Sequence, residues 1–201
     1  MPVQHGSNPY VYGDALGPVF GQALGAAAPS DGILATADPA DVTMDVHCLA
    51  FNENTEDRQY CSIQVDHDLL IPGSGNIIFR PHIHWTFYNV EPADGQTVIW
   101  RLAYVYAKPG VTAANAGAFA AAPSILTAAT YTTSGATELR KHLISSFGDI
   151  TVAASDCGPS MIFMYTFKLD TSSTIAASRV SALYVDWHYR KGPIGTIGEF
   201  A

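Results

Sequence analysis

The chain has 201 residues, 48% of them hydrophobic and 11% aromatic but only 14% charged, with a formal net charge of −8. A chain of this length can bury one sizeable core, roughly 70% of its unfolded surface, without help from disulfides, while a charged fraction well under the ~25% of an ordinary soluble domain points to a surface partly covered by other subunits. The absence of any Lys/Arg cluster argues against nucleic acid as a partner, no apolar run approaches the ~18 residues of a membrane span, and the lack of Lys or Arg before Arg58 leaves no basic leader region.

Residues 1–40 stand apart. Gly13, Gly17, Gly21, Gly25 and Gly32 alternate with Pro9, Pro18, Pro29 and Pro39, and no helix or strand pattern survives among them. Forty extended residues reach roughly 130 Å at most, enough to cross a neighbouring subunit, so this segment is expected to be an extended assembly arm, with a segment folded back on its own domain as the alternative. From about residue 42 the hydrophobic period becomes two, the signature of a half-buried strand. In Ile77 to Tyr88 the odd positions Ile77, Phe79, Ile83, Trp85 and Phe87 are apolar, and the even positions include Arg80, His82, His84 and Thr86. Glu91 to Gly95 supplies turn residues, and Val98, Trp100, Leu102, Tyr104 and Tyr106 then share a face, so 77–88 and 97–107 are predicted to pair as a hairpin.

Further strands are predicted at about 42–51, 59–65, 160–169 and 180–190, each β-branched or aromatic and bounded by Gly, Pro, Asp or Ser. Between them the Ala-rich connection 109–124 is long for a loop. Leu139, Leu143 and Phe147 could line a helix turn, but the β-like continuation into Val152 favours a strand. Met161 to Phe167 is apolar on both faces, which calls for a cover on each side. The expected architecture is an all-β antiparallel sandwich, jelly-roll-like, over 41–191, with an irregular, glycine-containing tail over 192–201. Cys48, Cys61 and Cys157, odd in number and without CxxC spacing, read as small buried hydrophobes of a reducing cytoplasm.

His82-x-His84 is the sharpest chemical feature. Two positions apart on a strand means one face and about 7 Å between Cα atoms, a spacing at which two imidazoles can share a metal. Asp186 and His188 repeat the spacing, with Leu183, Val185, Trp187 and Tyr189 assigned to the core. If the two strands are neighbours, His82, His84, His188 and Asp186 form a potential three-histidine, one-carboxylate set. That set resembles the metal site of the cupins, which share the jelly roll, and Gly75 and Glu91 fall near positions of their first motif. Glu91, however, lies too far after His84, and no second cupin motif follows. The preferred reading is a hydrogen-bonded polar network at a subunit interface, formed by Arg80, His82, His84, Asp186, His188 and Arg190. No catalytic residue, metal or other cofactor is expected, since there is no nucleophile elbow and no phosphate-binding loop.

Five segments in order carry a resemblance: Arg80-Pro-His-Ile-His-Trp85, Trp100-Arg-Leu-Ala-Tyr104, His142-Leu-Ile-Ser-Ser-Phe-Gly-Asp-Ile150, Ser160-Met-Ile-Phe-Met164 and Tyr184-Val-Asp-Trp-His-Tyr189. Together they resemble a family of small virion-associated structural proteins of tailed phages and prophages, over roughly residues 75 to 191. The resemblance implies a trimeric β-sandwich on the particle, without enzyme activity, and does not by itself distinguish the head from the neck or tail. The low charge, the arm and the doubly apolar strand favour a capsid decoration role, made in the host cytoplasm, with copies of itself and the major capsid protein or other virion proteins as partners; the alternatives are a tail, collar or fibre-attachment component and a cupin-like metal-dependent enzyme.

Overall fold

The computed structural model describes residues 11–17, 29–38, 41–51, 57–67, 69–111, 118–135, 137–175 and 180–191. These are nearly all β, with 54% strand, and no α-helix occurs among them. In chain order the strands are β1 (Val11–Gly17), β2 (Ser30–Asp38), β3 (Asp41–Phe51), β4 (Gln59–Gln64), β5 (Asn76–Phe87), β6 (Thr97–Val98) and β7 (Trp100–Ala107). They continue with β8 (Ser124–Thr127), β9 (Tyr131–Thr132), β10 (Leu143–Ser146), β11 (Ile150–Ala153), β12 (Ile162–Leu169) and β13 (Val180–Lys191). The expected strand rather than helix after Thr137 is realised in β10 and β11.

Two antiparallel sheets pack face to face. The larger has seven strands built around the β5–β13 pair. The free edge of β5 is shared by β11 and β10, and that of β13 by β3 and β1, with β2 outside β3. The smaller sheet runs β4-β12-β7-β8, and β6 and β9 form a short separate pair. Period-two alternation delivers the core: Ile77, Phe79, Ile83, Trp85 and Phe87 of β5 and Val185, Trp187 and Tyr189 of β13 are buried against Trp100 and Leu102 of β7 and Phe163, Tyr165 and Phe167 of β12. Phe163 lies between the sheets, its ring centroid 4.8 Å from Phe79 and 4.7 Å from Trp187. Full burial of such a side chain is worth about 1.5–3 kcal/mol, so these rings are the main adhesive between the layers. All three tryptophans are fully buried.

The predicted hairpin of 77–88 with 97–107 does not form. β5 lies in the larger sheet and β7 in the smaller, so their apolar faces meet across the core, with Trp85 and Trp100 centroids 6.3 Å apart. The link between them is long enough to change sheets, and β7 is separated from β6 at Ile99, whose amide donates to Ser173 Oγ and whose carbonyl accepts from the Asp170 amide.

Among the first forty residues, strands stand where the sequence shows no strand pattern. β1 adds to β13 with Val11 opposite Lys191 and Gly17 opposite Val185, and β2 pairs with β3. Backbone pairing needs no apolar alternation, so tertiary context makes strands of glycine- and alanine-rich segments that carry no pattern of their own. Residues 1–10, 18–28 and 39–40 of the expected arm, residues 112–117 of the Ala-rich connection and the expected tail 192–201 lie outside the described residues.

Candidate functional site

The alternation that sends Ile83, Trp85, Val185 and Trp187 inward turns His82, His84, Asp186 and His188 to the opposite face of the larger sheet. The pairing of β5 with β13 then brings the two motifs together: His82 stands opposite Asp186 and Tyr184 opposite His84, with a register shift between Ala182 and Tyr184. The condition on which the four-residue set depends, that the two strands be neighbours, is met within one subunit.

Asp186 is the centre of the cluster. Its side chain is 10% exposed, Oδ2 accepts a hydrogen bond from His188 Nε2 at 2.8 Å, and Oδ1 lies 3.3 Å from His84 Nε2 and 3.8 Å from His82 Nδ1. Oδ1 is buried and has no well-aligned hydrogen-bond donor. The rings of His82 and His188 meet edge to face with centroids 4.7 Å apart. Burial is the main cause that holds the His84 imidazole below its ordinary pKa, opposed by the attraction of Asp186 and assisted by repulsion from His142 and His82. His84 is therefore a neutral ring near neutral pH.

Of the other predicted members, Arg80 stands opposite His188 and forms a two-pronged ion pair with Asp149, Nε–Oδ1 at 2.8 Å and Nη2–Oδ2 at 3.3 Å. Arg190 lies two positions beyond His188 and lines a cleft with Arg80. Glu91, a near match to a cupin position, is engaged elsewhere, where its carboxylate accepts the backbone amides of Glu138 and Leu139 at 2.5 and 3.0 Å.

Two participants escape the sequence reading. His142 Nε2 is 2.7 Å from His84 Nδ1, and the Tyr184 ring stacks on His84 at 4.0 Å and 18°. Tyr184 sits at the same two-residue spacing from Asp186 as His188, so the strand period could have flagged it. His142 precedes β10, and only the pairing of Ile144 with His84 carries it to the site.

None of Cys48, Cys61 and Cys157 forms a disulfide. Cys48 and Cys157 are buried and Cys61 is half-buried. Burial pushes the Cys61 thiol up to about 11 and Cys157 up to about 12, which leaves both protonated and poor nucleophiles. The fold and site together define an antiparallel β-sandwich with a histidine–carboxylate cluster on the outer face of its larger sheet. No family model matches this chain, and no curated protein matches it significantly.

Proposed function

We propose that the chain is a structural subunit of a tailed-phage virion, a capsid decoration protein that acts as a homo-oligomer, most simply a trimer. The observation that carries the self-association is the outer face of the smaller sheet. Met164 is 51% exposed and Ile162 38% on β12, flanked by Tyr60 at 38% on β4 and Ile125 at 62% on β8. Cross-strand register makes these one patch, since Met164 stands opposite Val105, Ile162 opposite Ala107 and Ile125 opposite Ala103, all on the outward side. The doubly apolar strand of the sequence thus has its inner cover from its own chain, while on its outer face Met164 and Ile162 stay partly exposed. Ser62 and Gln64 border this cluster on β4, opposite Met164 and Ile162, and exposed apolar side chains gathered on one sheet face with a polar rim favour an interaction surface.

The phage setting rests on the five-segment resemblance, and the low charged fraction of the chain supports burial in an assembly. In this reading the rigid sandwich adds contacts at the seams of a shell, and closed symmetry multiplies contacts that are individually weak. Light scattering on the 21.4 kDa chain tests the oligomer, for which a multiple of that mass is expected; a monodisperse monomer at micromolar concentration overturns it. Co-sedimentation with empty heads assembled from the cognate capsid protein tests the location. Binding to purified tails and not to heads moves the protein to the tail, collar or fibre attachment.

A further inference from the structure

The geometry points to a divalent metal site on the outer face of the larger sheet, with His82, Asp186 and His188 as its protein ligands. One ligand atom from each of the three lies within 4.8 Å of the others. Bonds of about 2.0–2.2 Å to nitrogen and oxygen set neighbouring donors of a four-coordinate ion about 3.3 Å apart, so donors now within 4.8 Å of one another need draw together by no more than about 1.5 Å to close the set.

The environment of Asp186 is the independent observation. A buried carboxylate oxygen without a well-aligned hydrogen-bond donor is costly, and Oδ1 of Asp186 is in that state, its nearest imidazole nitrogens being His84 Nε2 at 3.3 Å and His82 Nδ1 at 3.8 Å. A cation placed between His82, His188 and the carboxylate supplies the missing partner. His84 acts from outside the set: its Nε2 faces Oδ1, and its Nδ1 is fixed by His142 at 2.7 Å, the kind of outer hydrogen bond that orients a metal site. When the ion binds at His188 Nε2, the proton that this atom donates to Asp186 is taken up at Nδ1, so the ring stays a neutral imidazole and the carboxylate turns to the ion.

Two imidazoles and one carboxylate select a borderline ion such as zinc over magnesium or calcium, which prefer all-oxygen shells. The role is structural. The adjoining cleft, lined by His188, Arg80 and Arg190, holds about 190 Å³, small beside the roughly 300 Å³ at which organic ligand sites begin. The ion clips β5 to β13 at the middle of the larger sheet. It lies within one subunit and does not depend on the virion reading.

The test uses the full chain, free of any affinity tag, stripped with a chelator and titrated with zinc chloride by calorimetry. One equivalent of zinc per chain is expected, with a rise in the thermal midpoint, and cobalt should give the visible absorption of a four- or five-coordinate ion. His82→Gln with His188→Gln should weaken zinc binding about a hundredfold or more and abolish the thermal shift, while His142→Gln, outside the set, should weaken it about tenfold. His188→Gln alone, at a half-exposed position, keeps the fold and provides the second variant should the double one fail to fold. Substoichiometric zinc binding by the stripped wild type, or unchanged binding in folded His188→Gln, overturns the site.

Discussion

Phe163 and Met164 are neighbours in sequence on opposite faces of β12, and replacing each by alanine separates core from interface. The Phe163 ring is fully buried and touches Phe79 and Trp187 in the other sheet as well as Tyr106, 5.6 Å away, in its own. Its removal leaves a cavity that neither sheet can close, because both are held by their own ladders. The cost for such a site is about 3–5 kcal/mol, and the multiple ring contacts place Phe163→Ala in the middle of that range, about 4 kcal/mol. With a urea dependence of about 2 kcal/mol per molar, the unfolding midpoint falls by about 2 M. Met164 is half-exposed, so Met164→Ala changes the stability of the dissociated subunit by no more than about 0.5 kcal/mol, yet it weakens self-association. Urea titration by far-UV circular dichroism and sedimentation over a concentration series read the two effects. A loss under about 1 kcal/mol for Phe163→Ala refutes the packing between sheets, and unaltered sedimentation of Met164→Ala refutes the outer face as the interface.

Gly135 has φ +73°, and a Cβ there would lie 2.7–2.9 Å from Asp94 Cβ, N and Cα, while at Gly110, φ +75°, a Cβ meets open space. Gly110→Ala should cost about 1–2 kcal/mol of left-handed strain and Gly135→Ala clearly more, as thermal melts will show; equal losses would mean that the 131–138 turn moves aside freely. Hydrogen bonds from Ser172 are the main cause that holds the Asp170 carboxyl below its ordinary range, opposed by burial and helped by Arg101 and Lys168. The folded state therefore keeps Asp170 ionised where the unfolded chain takes up a proton. Its contribution is complete above the unfolded pKa of about 4 and is lost as pH falls through the lower folded value. Asp170→Asn should flatten the acid limb of the stability curve measured by urea titration between pH 5 and pH 2, about the carboxylate range, and an unchanged limb would remove this carboxylate from the account. Deleting residues 1–17 takes β1 from the edge of β13, so hydrogen exchange at Val185 to Lys191 should accelerate while Phe163 to Phe167 stays protected; unchanged exchange at the β13 amides counts against the β1 pairing.

The long strands are legible in the sequence because each is buried on one face. Alternation predicts 77–88 where the strand is Asn76–Phe87, and 180–190 where it is Val180–Lys191. The same alternation puts His82, His84, Asp186 and His188 on the polar side of their strands, so most of the cluster is readable as two motifs. What alternation cannot carry is pairing. It does not say that β5 lies beside β13 and not β7, nor that a histidine before β10 reaches His84, because such neighbours are chosen by packing between segments far apart in the chain. β1 and β2 escape the sequence reading for a related reason: their place follows from the open edges of β13 and β3, not from their own side chains.

The position of β13 sets an order on folding. β1, β3 and β5 all border this strand, yet it is the last of the described strands to be synthesised. A nascent chain that has emerged only as far as residue 175 holds every partner of β13 without the strand that joins them, and Phe79 and Phe163 lack the rings of Tyr189 and Trp187 that later pack on them. Strand pairing across such long separations is slow and leaves apolar surface open in the meantime. Ribosomes that stop before residue 180 should therefore release chains destined for aggregation or proteolysis, not shortened domains, and full-length chains should acquire protease resistance in one late step.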